Sequence, residues 1–356
     1  MAISFFKAVK SVATNYWSYV FKRESSPAKP LIFWIEPTNV CNLKCPMCPG
    51  TYSPASQKKG FMDIALYKKI IDEISLFSVE YKLLQGGEPL LHPLIAEMVV
   101  YGRKKGMYVE LDSNGTTLTA ELSHQLIQAD LNYISFSFDG YDKQTYESIR
   151  VNARFEQTID NIKTFLKIRQ GYKKQFPFVR IKSIIQSDSR FTDEKRNAFL
   201  ALFEGLPVDE FDVQHPFSWN NKDVASSSIF AVKQPSRVTT EYAQKHRFHP
   251  CPRLWSTLSI LWDGTVVPCC ADFYGAVVLG NVNEKSITEI WNDVPMLQLR
   301  AKNICRQVAD IPLCCNCDIF FWPSFLNLPM HLYGITSLIK RSVGYRAYRF
   351  IYRHFS

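Results

Sequence analysis

Nowhere in the 356 residues does an uninterrupted apolar run approach the ~20 positions that a membrane-spanning helix needs, so no such helix is expected. With 15 glycines and 19 prolines, the chain has too little of either for a collagen-like or low-complexity architecture. An export signal is not expected either. The opening stretch MAISFFKAVKSVATNYWSYVFKR is broken by Lys7, Lys10 and hydroxyl residues before an apolar core can develop. The ten cysteines are therefore placed in a reducing cytoplasm, where disulfides are not the default and metal binding is the stronger expectation. A hydrophobic share of 46% and a charged share of 21% exclude a disordered chain and fit one large domain with a smaller one.

Acid is missing from one end. Residues 319–356 carry Lys340, Arg341, Arg346, Arg349 and Arg353 with no carboxylate, and residues 1–30 carry five cations against Glu24. The whole net charge of +9 thus sits in the two ends, and residues 31–318 balance to zero. A nucleic-acid-binding core would spread its charge differently, so no nucleic-acid partner is expected.

Between 31 and 215, β-branched apolar runs alternate with amphipathic helical patterns: LIFWIE, KLLQ, MYVELD, YISFSFD, VRIKSIIQ and FDVQH are six strands, each but the last followed by a helix. Six such repeats predict an α/β fold, a partial (β/α)6 barrel of the TIM type, with a doubly wound open sheet as the alternative. Polar residues cluster just after each strand, which favours the barrel, whose strand ends converge on one face. The expected organisation is a basic amphipathic extension (1–30), the barrel core (31–220), a polar linker (221–250), a cysteine-rich segment (251–318) and a basic aromatic tail (319–356). A hairpin is expected in LSILWDGTVVP, turning at Asp263-Gly264.

Cys41, Cys45 and Cys48 form CxxxCxxC in the loop after the first strand. Three thiolates on one short loop can hold three irons of a [4Fe–4S] cube and leave the fourth open to a small chelating molecule. A zinc site one ligand short, or a loop of inert thiols, is the plainer alternative. Gly86-Gly87-Glu88-Pro89 follows the second strand, where two glycines admit close backbone approach and a carboxylate can accept from an ammonium. Asp112-Ser113-Asn114-Gly115 and Ser137-Phe138-Asp139-Gly140 close the third and fourth strands. Taken singly, each is also a common turn former.

EPTNVCNLKCPMCP (36–49), with these strand ends, resembles the radical S-adenosylmethionine (SAM) superfamily, and residues 251–317 resemble its SPASM/Twitch auxiliary-cluster branch. The resemblance implies that Cys41, Cys45 and Cys48 ligate a [4Fe–4S] cluster whose open iron binds SAM. It also implies that Gly86, Gly87, Glu88 and Pro89 receive the methionine amino group, while Asn114, Ser137 and Asp139 hold the carboxylate or ribose. Met47 stands where the family often has an aromatic residue beside adenine. Arg150, Lys182 and Gln186 are further candidate partners. Cys251, Cys269, Cys314 and Cys317, in the order C-x12-G-x4-C followed by CxxC, are implied as the ligands of one auxiliary [4Fe–4S] cluster; a zinc ribbon is the alternative. Cys270 and Cys315 are expected to be structural thiols, and Cys305 is left open. The implied activity is reductive cleavage of SAM to a 5′-deoxyadenosyl radical that abstracts hydrogen from an unactivated carbon. A flavodoxin- or ferredoxin-like protein would supply the electron. The substrate is expected to be a sugar, a lipid-linked species or another small metabolite, with peptide maturation as the alternative within the family. A zinc-stabilised binding protein is the alternative of another class. No catalytic side chain is assigned.

Both ends can form basic, aromatic amphipathic helices. In the first, Phe5, Val9, Val12, Ala13, Tyr16 and Val20 share a face. Peripheral contact with the inner face of an anionic membrane through both ends is one expectation, and docking of both helices on the barrel is the other.

Overall fold

The computed structural model describes residues 5–78, 80–184, 190–214, 248–315 and 317–321, with two short strands at 324–325 and 328–329. Gln186, most of the expected linker and the expected C-terminal helix lie outside the described residues.

Six parallel strands, β1 (Ile32–Ile35), β2 (Glu80–Leu83), β3 (Tyr108–Ser113), β4 (Tyr133–Ser137), β5 (Phe178–Ile184) and β6 (Glu210–Gln214), pair in sequential order. The helices between them are α2 (Ile64–Ile74), α3 (Ile95–Lys104), α4 (Ala120–Gln128), α5 (Lys143–Ile149), α6 (Phe155–Gly171) and α7 (Asp193–Ala201), with α1 (Phe5–Val20) preceding the sheet. This is the expected partial barrel. Helix starts are set by side-chain caps: Asp63 accepts from the Ala65 and Leu66 amides, and Thr119, Asp142 and Thr192 cap α4, α5 and α7 in the same way.

Parallel strands covered on both faces usually read as continuous apolar runs. Here they alternate. Phe33, Ile35, Tyr81, Leu83, Val109, Leu111, Ile134, Phe136, Val179 and Ile181 join the core beneath the helices. The opposite face carries charge: Lys82 pairs with Glu110 and with Glu80, Lys182 with Asp112 at 3.2 Å, and Arg180 with Asp212 at 3.2 Å. The inner wall is thus polar. The second strand begins at Glu80, two residues before the expected KLLQ, because Glu80 is a buried carboxylate facing Lys82, a pairing that a polarity count reads as loop.

The sheet does not end at β1. The C-terminal segment adds β7 (Thr257–Ile260) parallel to β1, then β8 (Thr265–Val267) and β9 (Gly280–Asn281) antiparallel, so one nine-stranded sheet runs from the barrel into the cysteine-rich region. The β7–β8 hairpin turns where expected. Gly264 has φ +88°, and a Cβ there would meet the Asn283 and Asn281 side chains at 2.7 and 2.9 Å. Helices α8 (Ile287–Ile290) and α9 (Val294–Ile304) complete the segment.

The first helix docks by a different face from the one expected. Asn15, Ser18 and Tyr19 are buried, whereas Val9, Ala13, Trp17, Val20 and Phe21 are exposed. Tyr19 packs edge-on against Trp255 and donates to the Pro250 carbonyl at 3.0 Å, and the Asn15 amide donates to the Lys29 carbonyl at 2.9 Å. Specific hydrogen bonds outweigh the apolar stripe in choosing the docked face.

Candidate cofactor site

The loop after β1 is fixed before its first cysteine. Thr38 donates to the Gly60 carbonyl at 2.6 Å, and Asn39 exchanges hydrogen bonds with Lys58 and Gly60. Gly87 packs on this loop so closely that a Cβ would lie 2.3 Å from the Thr38 carbonyl oxygen and 2.5 Å from that of Val40. The second glycine therefore serves loop-on-loop packing. Gly50 approaches in the same way: a Cβ there would stand 2.9 Å from the Gly86 carbonyl oxygen and 3.5 Å from Cys48 Sγ. The Gly86 carbonyl and the Cys48 sulfur thus border one small space.

Cys41 is exposed, Cys48 half-buried and Cys45 buried. Burial pushes the Cys41 thiol up to about 12 and the Cys45 thiol up to about 11, and raises Cys48 as well. The positive charge of Arg150 opposes this at Cys45. Burial works against the Arg150 charge, but Asp139 (2.5 Å away) and Cys45 hold the guanidinium protonated.

The strand-end residues take their places around this loop, several turned inward. The Glu88 carboxylate, fully buried, accepts from Ser113 Oγ at 2.7 Å and from the Asn114 and Leu90 amides at 2.7 and 3.0 Å. It braces the second strand end to the third. Pro89 is buried and opens a short 3-10 turn. The Asn114 side chain donates to Asn42 at 3.0 Å, within the cysteine loop. Asp139 accepts from the Ile184 amide at 2.6 Å and pairs with Arg150, so it orients a cation at Cys45. Ser137 is half-buried at the end of β4, and Met47 lies in the core beside the loop. Lys182 is held by Asp112 on the inner wall.

Cys251, Cys269, Cys314 and Cys317 line one small cavity of about 70 Å³, together with apolar residues such as Ile311 and Phe320. Cys270, Cys305 and Cys315 are not among its lining residues. Cys270 packs instead towards Leu31, Ile32 and Trp34, Cys305 is exposed after α9, and Cys315 contacts the Pro312 carbonyl. Burial raises the thiols of Cys314, Cys317 and Cys251, the last to about 12. Cys269 goes the other way: the neighbouring Cys270 thiol, with Arg253 beside it, holds it well below the usual thiol range.

The donor sets fit iron–sulfur cubes. Among the described residues, no three His, Cys, Asp or Glu side chains converge tightly enough for a single ion, whose thiolates would stand about 3.8 Å apart at a Zn–S distance of about 2.3 Å. A cube instead takes one thiolate at each separated corner.

Two residues with evident structural roles carried no assignment in the sequence. Glu36, at the end of β1, accepts from the Gly86 amide at 2.8 Å and from the Trp262 amide at 3.1 Å, tying the glycine loop to the C-terminal hairpin. Arg253 sits 3.1 Å from Cys270 Sγ and 3.4 Å from Cys269 Sγ. A carboxylate immediately before a loop that reads as ligand-binding was the available signal for Glu36. Around them, Gln57 donates to the Phe273 carbonyl at 2.8 Å and Tyr274 to that of Pro49, so the segment after Cys270 leans on the first cysteine loop.

A family model described as the radical SAM superfamily matches residues 35–174, and one described as an iron–sulfur cluster-binding domain (SPASM) matches 251–318. The AdoMet-dependent heme synthase of Methanosarcina barkeri is 36% identical over 152 residues, 42% of this chain but only 41% of that protein. The PqqA peptide cyclase of Xanthomonas campestris pv. campestris is 23% identical over 292 residues, 75% of each chain. The structure of Streptococcus suis SuiB bound to precursor peptide SuiA superposes with a TM-score of 0.58 at 15% identity, covering 83% of this chain and 72% of that one, a likeness of fold.

Proposed function

Because the chain belongs to the radical SAM superfamily, with a SPASM iron–sulfur domain following its core, we propose that it reductively cleaves SAM and uses the 5′-deoxyadenosyl radical to take hydrogen from an unactivated carbon of a polar small molecule. SAM and [4Fe–4S] clusters are its cofactors. When bound, they supply the one-electron cleavage and the radical oxidant, while the protein orients the reactants and keeps water out. Cys41, Cys45 and Cys48 would ligate the cluster that carries SAM, and the Gly86 carbonyl would receive the methionine amino group. Arg150 would bring positive charge to the Cys45 corner. Cys251, Cys269, Cys314 and Cys317 would hold a single auxiliary cluster. A flavodoxin- or ferredoxin-like donor would supply electrons.

The observation that carries the reaction class is the three-thiol loop at the C-terminal end of six parallel strands, bordered by the Gly86 carbonyl. In barrels of this kind, chemistry is placed at that end. The polar inner wall supports a hydroxyl-rich or charged substrate, such as a sugar, over an apolar chain. A peptide substrate is the second reading, favoured by the likeness to the PqqA peptide cyclase. Anaerobic reconstitution followed by dithionite and SAM should yield 5′-deoxyadenosine, and Cys45→Ala should abolish it. Undiminished cleavage by that variant would refute the assignment. Turnover with sugar and peptide candidates separates the two substrate readings, and a product lighter by two hydrogens marks net oxidation.

Among the described residues, no helix is long and apolar enough to cross a membrane. Peripheral contact is a separate matter. The exposed stripe of α1 carries Trp17 stacked on Phe21 at 5.5 Å, with Lys10, Lys22 and Arg23 exposed beside it. Aromatic side chains flanked by cations suit an anionic lipid surface at the cytoplasmic face. Vesicles of phosphatidylglycerol and phosphatidylcholine should co-sediment the protein, and Trp17→Ser/Phe21→Ser should release it with thermal stability unchanged. Equal binding by the double variant would exclude this surface.

A further inference from the structure

Among the described residues, Cys269 is the cavity-lining cysteine that a guanidinium touches. Its sulfur lies 3.4 Å from Arg253 Nη1 and 3.4 Å from the Ala271 amide. Arg253 also reaches Cys270 Sγ at 3.1 Å, so cation and thiol form one hydrogen-bonded group on one corner of the cavity. We propose that Arg253, which bridges the Cys269 and Cys270 sulfurs, acts as a positioning residue that raises the reduction potential of the auxiliary cluster by donating to the Cys269 sulfur. The proposal rests on Cys251, Cys269, Cys314 and Cys317 being cluster ligands.

The sign follows from charge. Reduction adds one negative charge to a cube whose thiolate ligands are already anionic. A fixed cation and hydrogen-bond donors at a ligand sulfur stabilise that added charge and lift the potential. Leu254, Val277, Leu299, Ile311 and Phe320 line the same cavity, so the interaction is only weakly screened. The Arg253 guanidinium also lies over the Trp34 ring at 5.9 Å, and Cys270 packs against the cluster of Leu31, Ile32 and Trp34. Trp34 lies on the sheet face that carries Lys82 and Glu110, so the polarised corner is the one turned to the barrel interior. In this adjacent Cys-Cys pair one member alone lines the cavity: Cys269 ligates, and Cys270 stands behind it as a second acceptor for the Arg253 guanidinium.

The test uses the full chain carrying Cys41→Ala, Cys45→Ala and Cys48→Ala, so that the auxiliary cluster is the one observed. Iron content is measured first, and an EPR-monitored redox titration then gives the midpoint potential. Arg253→Gln should move the midpoint to more negative potential, and Arg253→Lys should restore part of the loss. An unchanged midpoint in iron-loaded Arg253→Gln would overturn the proposal while leaving the cluster reading intact. If Arg253→Gln loads no iron, Arg253→Lys decides alone: a smaller negative shift supports the proposal and an unchanged midpoint overturns it. A triple-alanine parent that binds no iron would overturn the ligand assignment, and the proposal with it.

Discussion

In the loop after β1, three thiols occupy residues 41–48 with Cys41 exposed; in the C-terminal segment, four thiols drawn from residues 251–317 line a small, largely apolar cavity. The first arrangement leaves an approachable side, and the second sets its thiols among apolar side chains. That difference bears on the proposal that two thiol sets divide one metal chemistry between two jobs. A centre that must exchange a ligand is carried on a single loop, where neighbouring strand ends can reach it. A centre that keeps its contents draws on distant parts of the chain. Protonation follows the same division. At the first site an arginine opposes the cost of burial at Cys45, and at the second the neighbouring thiol and an arginine pull the Cys269 thiol below its usual range.

The largest expected effect separates the two centres. Replacing Cys41, Cys45 and Cys48 together by alanine should bring 5′-deoxyadenosine formation to background and remove about half of the iron. Cys314→Ala/Cys317→Ala should remove a similar share of iron yet leave SAM cleavage measurable. If both variants abolished cleavage, the division of labour would not hold.

Next comes the buried pair behind the loop. Asp139 is fully buried and its partner Arg150 nearly so. Arg150→Met should destabilise the fold by about 3–5 kcal/mol in urea denaturation, because it leaves a lone buried carboxylate. Arg150→Met/Asp139→Asn should recover much of that loss.

The smallest effect concerns the tie between the centres. Burial pushes the Glu36 carboxyl up to about 7 from 4.5, with the Trp262 and Gly86 amides and Lys59 pulling the other way. The folded protein therefore keeps a proton that the unfolded chain releases near 4.5. This contribution is fully present below about 4.5 and is lost as pH rises through 7. At ~1.4 kcal/mol per pKa unit it amounts to about 3 kcal/mol. Glu36→Gln should flatten the fall in thermal midpoint between pH 5 and 8, and a parallel slope in both proteins would remove Glu36 as its cause.

Strand order and hairpin turn were legible because each is written in short patterns, alternation and Asp-Gly; the grouping of Cys251, Cys269, Cys314 and Cys317 came from the resemblance to the SPASM/Twitch branch, and the structure places the four around one cavity. Side-chain direction was not. Glu88 and Asp139 stand at the motif positions, but the structure spends their carboxylates on Ser113, Asn114, Ile184 and Arg150, partners whose approach depends on how the strands stack. The docked face of α1 misled for a related reason. Hydrophobic periodicity suggested one stripe, whereas Tyr19 and Asn15 found carbonyl partners at Pro250 and Lys29 that the pattern does not encode. Glu36 and Arg253 act across the junction of two segments more than 200 residues apart, and local sequence carries no trace of that meeting.

The parallel pairing of β1 with β7 has a consequence for how the molecule is made. During synthesis the first strand can acquire β2 early, but its other edge stays bare until residues 257–260 leave the ribosome. Through that interval an apolar edge, Ile32 to Ile35, is open to mispairing with other chains. Sealing that edge is therefore a late event in biogenesis, and a product that stopped short of β7 would be a candidate for aggregation rather than a smaller working enzyme.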